Sequence, residues 1–267
     1  MKEQTISESS AETQAAWPLR RVGLRVLNLE TSSAYYKKLG FAVVRDEQQE
    51  GIVGMGVGNT ELLTLRHLPE GKPRPRRTAG LYHFAILVPG EEELGSFLLH
   101  CVQEHIELEG ASDHLVSQAL YLRDPENNGI EVYADRPRET WQWENKTLRM
   151  GTLPLDLRRL LGLGHAFAGF PEGTKLGHMH LNVGNLDNSR TFYEKLGMEL
   201  TVGLAGSANF LSWDGYHHHL GINLWEGRNA ARQEPDVSGV DFFELSRPGL
   251  EPATLQDADG VQVIISK

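Results

Sequence analysis

Histidines recur on one face of three segments whose residues alternate between apolar and polar, as in β-strands that bury one side. These histidines are His83 in residues 82–88, His178 and His180 in residues 178–183, and His217 and His219 in residues 217–225. Two imidazoles and one carboxylate on separate strands can bind a divalent ion and leave positions free for substrate and oxygen. Such a ligand set suits non-haem Fe(II), with Mn(II) or Zn(II) as alternatives.

A predicted β-hairpin over residues 113–133 supplies the carboxylate. Asp-Pro and Asn-Asn-Gly mark its turn, and the residues on either side alternate as strands do. A connecting loop of odd length brings Tyr121 and Glu131 onto one face, opposite the apolar Leu120 and Leu122. A phenol beside a carboxylate, turned away from an apolar face, predicts a functional site.

Each of these histidines has a simpler interpretation. A single histidine is more often a hydrogen-bonded surface or core residue than a metal ligand. Residues 217–219 have the further alternative of an exposed loop, because the preceding Asp214-Gly215-Tyr216 is typical of a turn. It is the coincidence of polar groups on five predicted strands that favours a site.

An internal repeat provides the strands. Residues 24–41 align without gaps on residues 181–198, with 9 of 18 positions identical. Each copy predicts a strand, a short helix and three further strands, and a diverged copy begins at Tyr82. A fourth, beginning at Val240, is too short for the full unit. The fold class is therefore α+β, built of repeated βαβββ units with a truncated fourth unit.

The predicted organisation is a disordered tail (1–16), two units (17–135), a connector (136–175) and the last two units (176–267). Within the connector we expect a helix over 155–161, and expect Trp141 and Trp143 to pack against a domain.

Composition limits the possible partners. The net charge of −10 and the lack of a basic stripe argue against nucleic acid, and no apolar run is long enough to suggest a membrane partner. The single cysteine, Cys101, excludes an internal disulfide and is expected to be a buried, inert thiol. A reducing cytoplasm is the expected location.

Several of these motifs resemble the vicinal oxygen chelate superfamily, which has the glyoxalase and dioxygenase fold. They are the Gly177-His178 strand, the Asp124-Pro125 turn leading to Glu131, and the His-rich segment 215–230. Within that superfamily the chain looks like the bacterial catechol 2,3-dioxygenases of the extradiol branch. The resemblance implies an oxidoreductase of aromatic degradation that uses Fe(II), or Mn(II), to add both atoms of O2 to a small aromatic diol. Self-association into a homo-oligomer is a further expectation.

The resemblance also implies roles for individual residues. Its metal ligands match His83, Glu131 and His178. Its active-site histidine matches His219, and its substrate-contacting tyrosine matches Tyr121, ten residues before the glutamate. His114 matches a further histidine of the family, although its spacing is two residues short.

The chain departs from the commoner two-domain members of the family. The fourth unit has Asp241 and Ile264 where a histidine and a glutamate are expected, and the first unit has Arg21. We therefore expect the second and third units to pair around the metal, and the first and fourth to form a ligand-free companion. The alternatives are a metal-free, drug-sequestering protein and a metal lyase of glyoxalase type, both on the same fold.

Overall fold

The computed structural model describes residues 17–267. The predicted disordered tail, residues 1–16, lies outside the described residues. Two successive units each contain one strand, one helix and three strands. The first consists of β1 (Leu19–Val26), α1 (Leu29–Leu39), β2 (Ala42–Glu47), β3 (Ile52–Val57) and β4 (Thr60–His67). The second consists of β5 (Gly80–Leu87), α2 (Glu91–Gln103), β6 (Gly110–Asp113), β7 (Ser117–Arg123) and β8 (Gly129–Asp135).

The rest of the chain begins with a connector that holds a small hairpin, β9 (Trp143–Glu144) and β10 (Thr147–Leu148), and helix α3 (Leu157–Leu163). The third unit consists of β11 (Lys175–Asn182), α4 (Leu186–Glu194), β12 (Glu199–Leu204), β13 (Ala208–Ser212) and β14 (Leu220–Asn223). The fourth has only β15 (Gly239–Ser246), β16 (Ala253–Gln256) and β17 (Gln262–Ser266). The predicted βαβββ repeat and its truncated last copy are thus confirmed.

Two mixed sheets contain nearly all of these strands. The first and fourth units form a seven-stranded sheet in the order β16-β17-β15-β1-β4-β3-β2. The second and third units form an eight-stranded sheet in the order β12-β13-β14-β11-β5-β8-β7-β6. In each sheet the first strands of two units run antiparallel at the centre, β1 beside β15 and β11 beside β5. We call the first of these the companion sheet.

Helices α1 and α4 begin at equivalent residues of the repeat. Asn28 and Asn185, at the same repeat position, accept hydrogen bonds from backbone amides three residues on and so cap α1 and α4. Gly40 ends α1 in the left-handed conformation, at φ 115°, which glycine adopts without strain.

Three local predictions differ from the structure. Helix α3 starts two residues later than expected, because Asp156 is its N-cap and accepts from the Arg159 amide at 2.9 Å. Of the two connector tryptophans, Trp141 is buried, whereas Trp143 is 43% exposed. The strand expected over 217–225 is shorter and spans only Leu220–Asn223. No helix among residues 17–267 is long and apolar enough to cross a membrane.

Candidate metal centre

Three buried side chains of the eight-stranded sheet converge on one point. The Nε2 atoms of His83 and His178 are 3.2 Å apart. Oε2 of Glu131 lies 3.0 Å from the first nitrogen and 3.2 Å from the second. The three residues come from β5, β11 and β8, so the group draws on two different units.

A small residue between the strands makes this convergence possible. Ala85 of β5 is the cross-strand partner of His178 on one side and of Glu131 on the other. His83 lies two residues earlier on the same face of β5. Because Ala85 is buried and ends at Cβ, the side chains of His178 and Glu131 can meet across it.

The three donor atoms are spaced as the ligands of one divalent ion are. Ligands at about 2.1 Å lie about 3.0 Å apart at 90° and about 3.4 Å apart in a tetrahedron. The observed separation of 3.0 Å equals the first value, and the two separations of 3.2 Å lie midway between both, so either geometry is compatible with the three donor atoms. Two imidazoles and one carboxylate on one side of the ion are the set used by non-haem Fe(II) oxygenases.

The protonation of the group also suits a cation. Burial lowers the pKa of His178 to about 4, although the facing carboxylate opposes that shift. Burial would raise the pKa of Glu131, but the imidazoles of His178 and His83 outweigh it and hold this pKa well below its usual range. A neutral His178 and an ionised Glu131 are therefore expected at pH 7, which is the state that binds metal.

The equivalent positions of the companion sheet carry no such set. By strand register they hold Arg21, Phe242 and Ile264. The expectation of Asp241 at this place is wrong by one residue, because Asp241 lies on the opposite face of β15 and pairs with Arg66 at 2.7 Å. Arg21 bonds Glu244 at 2.5 Å and Glu61 at 3.2 Å. The Arg21 guanidinium therefore occupies, by forming ion pairs, the carboxylates of Glu61 and Glu244 in the companion sheet.

A cavity of about 360 Å³ opens beside the three converging residues, with His83 and Glu131 in its wall. The wall has an apolar end, where Met150, Val202 and Phe210 belong to one apolar cluster, and Leu204 also lines the cavity. Tyr82, His180 and Trp225 line another part. Glu131 supplies the only Asp or Glu in the wall, and no Lys or Arg contributes to it within the described part of the chain.

Tyr121 lies in the cavity wall directly opposite Glu131 on the neighbouring strand. Its hydroxyl is 2.6 Å from Nε2 of His114, whose Nδ1 is 2.7 Å from the carbonyl of Gly151. Since a carbonyl only accepts, Nδ1 of His114 donates, and in the neutral imidazole Nε2 then accepts the phenolic proton. The oxygen lone pairs of Tyr121 therefore stay available to the cavity.

His219 lies apart from this group, contrary to expectation. Its ring packs against Trp17, Trp213 and Tyr216, and its Nδ1 accepts from the Trp213 amide at 3.2 Å. His218 lines the cavity instead, with its ring centroid 4.1 Å from that of His178. The strand alternation expected over 217–219 does not hold there, because these residues form a buried loop before β14.

His180 is a further cavity residue, and no role for it was inferred from the sequence. His180 lies beside His83, with ring centroids 4.8 Å apart, and its Nε2 accepts from Asn223 at 3.0 Å. A Cβ at Gly221 would come within 3.0 Å of three atoms of the His180 ring, so a glycine is needed there. Burial lowers the pKa of His180 and of His218 well below the usual range. In the sequence, the signal for His180 was Gly221, which leaves room for the histidine ring across the parallel strands β11 and β14.

Comparison with known proteins agrees with this architecture. A sequence model of the Glyoxalase/Bleomycin resistance protein/Dioxygenase superfamily matches residues 19–132. The catechol-2,3-dioxygenase of Bacillus subtilis strain 168 is 39% identical over 239 residues, covering 87% of this chain and 83% of that protein.

Solved structures share the fold. Glyoxalase I from Zea mays has a TM-score of 0.58 at 16% identity, covering 92% of this chain and 91% of that one. The cppA protein from Streptococcus pneumoniae TIGR4 has a TM-score of 0.56 at 13% identity, covering 93% of this chain and 98% of that one. At these identities the likeness concerns the fold alone.

Proposed function

Since the chain belongs to the Glyoxalase/Bleomycin resistance protein/Dioxygenase superfamily, we propose that it is a non-haem Fe(II) extradiol dioxygenase that opens the ring of a catechol with O2. The observation that carries this proposal is the convergence of three donor atoms 3.0–3.2 Å apart beside a cavity. The 39% identity with a catechol-2,3-dioxygenase supports it independently.

His83, His178 and Glu131 would hold the ion, with Mn(II) as the alternative to Fe(II). A ferrous ion held there would supply the Lewis acidity and the redox chemistry of ring opening. The second and third units would then form the reacting module, and the first and fourth units its ligand-free companion. The predicted boundaries at 135 and 175 are part of the same proposal.

Two groups at the cavity would handle protons and orient the diol. His218, neutral and beside His178, is the group we assign to accept a proton from a substrate hydroxyl. Tyr121, whose own proton goes to His114, would accept a hydrogen bond from the diol. His114 would keep Tyr121 in that orientation.

The wall of the cavity suggests the substituent that the catechol carries. Its apolar end would favour an alkyl or aryl group, since an anionic substituent would be buried without a partner cation.

We also place the reaction in the cytoplasm, in line with the single, buried and unpaired Cys101.

Oxygen uptake by the metal-loaded protein tests the proposal. The purified chain is depleted of metal, loaded anaerobically with Fe(II), Mn(II) or Zn(II), and mixed with catechol in an oxygen-electrode cell. We expect Fe(II) to give uptake of one O2 per catechol and a product whose mass increases by one O2. The Zn(II)-loaded sample is the control, because Zn(II) has no redox chemistry.

The same assay separates the alternatives. Catechol binding without oxygen uptake in every metal form would contradict the proposal and favour a sequestering protein. Turnover of a glutathione hemithioacetal by the Zn(II) form, with no oxygen uptake, would favour a glyoxalase-type lyase.

A further inference from the structure

A line of hydrogen bonds runs from the surface to the rear of the cavity. Asp135, at the end of β8, has a side chain that is 26% exposed. Its carboxylate is 2.9 Å from Nε2 of the buried His217. Nδ1 of His217 is in turn 2.7 Å from Nδ1 of His218, the histidine in the cavity wall.

With His217 neutral, the carboxylate of Asp135 sets the direction of every bond in this line. A carboxylate has no proton to donate, so Nε2 of His217 carries the hydrogen between them. A neutral imidazole has only one N–H, so Nδ1 of His217 must accept. Nδ1 of His218 is then the donor, and its Nε2 is left unprotonated.

This order is supported at both ends. The hydroxyl of Tyr216 also donates to Asp135, at 2.9 Å, so the carboxylate meets two donors and no acceptor. No hydrogen bond within residues 17–267 uses Nε2 of His218. That nitrogen is also missing from the buried polar atoms that lack a partner, as expected of an atom open to the cavity.

We propose that Asp135, acting through His217, is a positioning residue that holds His218 in the tautomer with an unprotonated Nε2 facing the cavity. Only this tautomer can accept a proton from a substrate hydroxyl. The consequence for catalysis rests on the proposed function, whereas the tautomer itself does not. Asp135 and His217 are absent from the cavity wall, so neither is expected to touch the substrate.

Nuclear magnetic resonance of the full-length chain tests the tautomer directly. The protein is labelled with ¹⁵N at histidine and loaded with diamagnetic Zn(II), and long-range ¹H–¹⁵N correlations are recorded. In the wild type we expect Nε2 of His218 to show the shift of an unprotonated nitrogen. In Asp135→Asn the charge is removed, and the amide can donate to His217 as well as accept from it. We therefore expect a mixture of the two His218 tautomers.

Steady-state kinetics give the second readout. A hydrogen bond to a charged group biases such an equilibrium by about 10 to 100-fold. Asp135→Asn should lower kcat by up to about that factor, leaving KM for catechol and the iron content unchanged. Asp135→Glu, which keeps the carboxylate, should recover most of the loss. Asp214→Asn is the matched control, because its exposed carboxylate pairs with Arg247 and contacts neither His217 nor His218.

The outcomes separate this inference from the proposed function. A mixed tautomer in Asp135→Asn, beside an unprotonated Nε2 in the wild type and in Asp214→Asn, supports the inference even if catechol is not the substrate. A protonated Nε2 on His218 in the wild type overturns it. An unaltered tautomer together with unaltered kcat in a folded Asp135→Asn overturns it as well.

Discussion

The hydroxyl of Tyr193 donates a hydrogen bond of 2.7 Å to the buried carboxylate of Asp257. Tyr36 makes the equivalent bond of 2.9 Å to Asp124. Tyr36 and Tyr193 occupy the same position of the repeat, so α1 is tied to the turn of the second unit and α4 to the turn of the fourth. The sheets join the units in the other combination, one with four and two with three. The two kinds of contact together link all four units.

These bonds should contribute measurably to stability. We expect Tyr193→Phe and Tyr36→Phe each to lower the free energy of unfolding by about 1 to 3 kcal/mol, because a buried carboxyl group loses a donor. Urea unfolding measures the loss. The control is Tyr35→Phe, expected within about 0.5 kcal/mol of the wild type, since the Tyr35 hydroxyl makes no hydrogen bond in the described chain. Equal stability of the Tyr193 and Tyr35 variants would contradict the assignment.

Asp257, which accepts the bond from Tyr193, should make the free energy of unfolding depend on pH. The sign of this dependence should be opposite to that of a surface ion pair. Burial raises the pKa of Asp257, so the folded chain keeps its proton to a higher pH than the unfolded chain does. Its contribution to stability is full below the unfolded pKa of about 3.9 and is lost as the pH rises through the folded pKa. We therefore expect Asp257→Asn to gain stability relative to the wild type as the pH is raised above about 4.

Asp214 provides the comparison for that experiment. Its hydrogen bond to Arg247 lowers the pKa of this carboxyl, so its contribution is present above the unfolded pKa and is lost as the pH falls through the folded one. Urea unfolding at a series of pH values gives the stability of each variant relative to the wild type. This difference should rise with pH above about 4 for Asp257→Asn and fall with rising pH below about 4 for Asp214→Asn, so the two slopes have opposite sign. Slopes of the same sign would show that Asp257 is not buried as described.

Loss of the Glu131 carboxylate should empty the metal site, whereas loss of the Glu61 carboxylate should not. Glu131→Gln keeps the shape of the side chain but removes the only anionic ligand, so iron per chain should fall by at least tenfold, in line with about 1.4 kcal/mol per factor of ten. Glu61→Gln is the matched control, because Glu61 is a largely buried carboxylate that meets Arg21 and Arg45 in the companion sheet. It should lose stability and keep its iron. Elemental analysis after dialysis decides, and full iron content in Glu131→Gln would exclude this residue as a ligand.

The two adjacent histidines should behave differently. His218→Ala should keep its iron and lose about 10² to 10⁴-fold in kcat, the usual contribution of a positioned acid–base group. His219→Ala should lose stability, because its ring packs between Trp17, Trp213 and Tyr216, and should keep kcat within a few-fold. Measured kcat and iron content for both variants test the assignment of His218 as the proton acceptor. If His219→Ala is the inactive variant, that role belongs to His219.

The apolar end of the cavity should select among catechols. We expect kcat/KM for an alkyl-substituted catechol to exceed that for a carboxylated one by at least tenfold, since burying an unpaired carboxylate costs more than burying an unpaired neutral polar group, which costs about 1 to 3 kcal/mol. Phe210→Arg should narrow or invert this preference by supplying a cation to the cavity wall. Equal values for the two substrates in the wild type would show that the substituent does not enter this cavity.

The fold was accessible from the sequence because its signals are local. Strand alternation and the repeat of residues 24–41 in 181–198 need only neighbouring residues. The same local rules place His83, Glu131 and His178 among the polar groups on one face, and the resemblance to a family then selects these three as ligands. Local rules fail at His218, because the direction of a loop side chain depends on contacts remote in sequence. Here the neighbouring His217 is held by its hydrogen bond to Asp135. The cavity wall was equally hidden, since Met150 comes from the connector and Phe210 from β13.

The pairing of the first strand with β15 also sets the order of events during synthesis. Leu19 of β1 faces Leu245, so one side of β1 stays open until nearly the whole chain has been made. At about 5 to 20 residues per second, a ribosome needs about 10 to 45 s to cover that separation. An open strand edge can pair with other chains in the meantime. The nascent chain is therefore most vulnerable to aggregation before its last unit emerges, and His178 joins His83 and Glu131 only late in that interval.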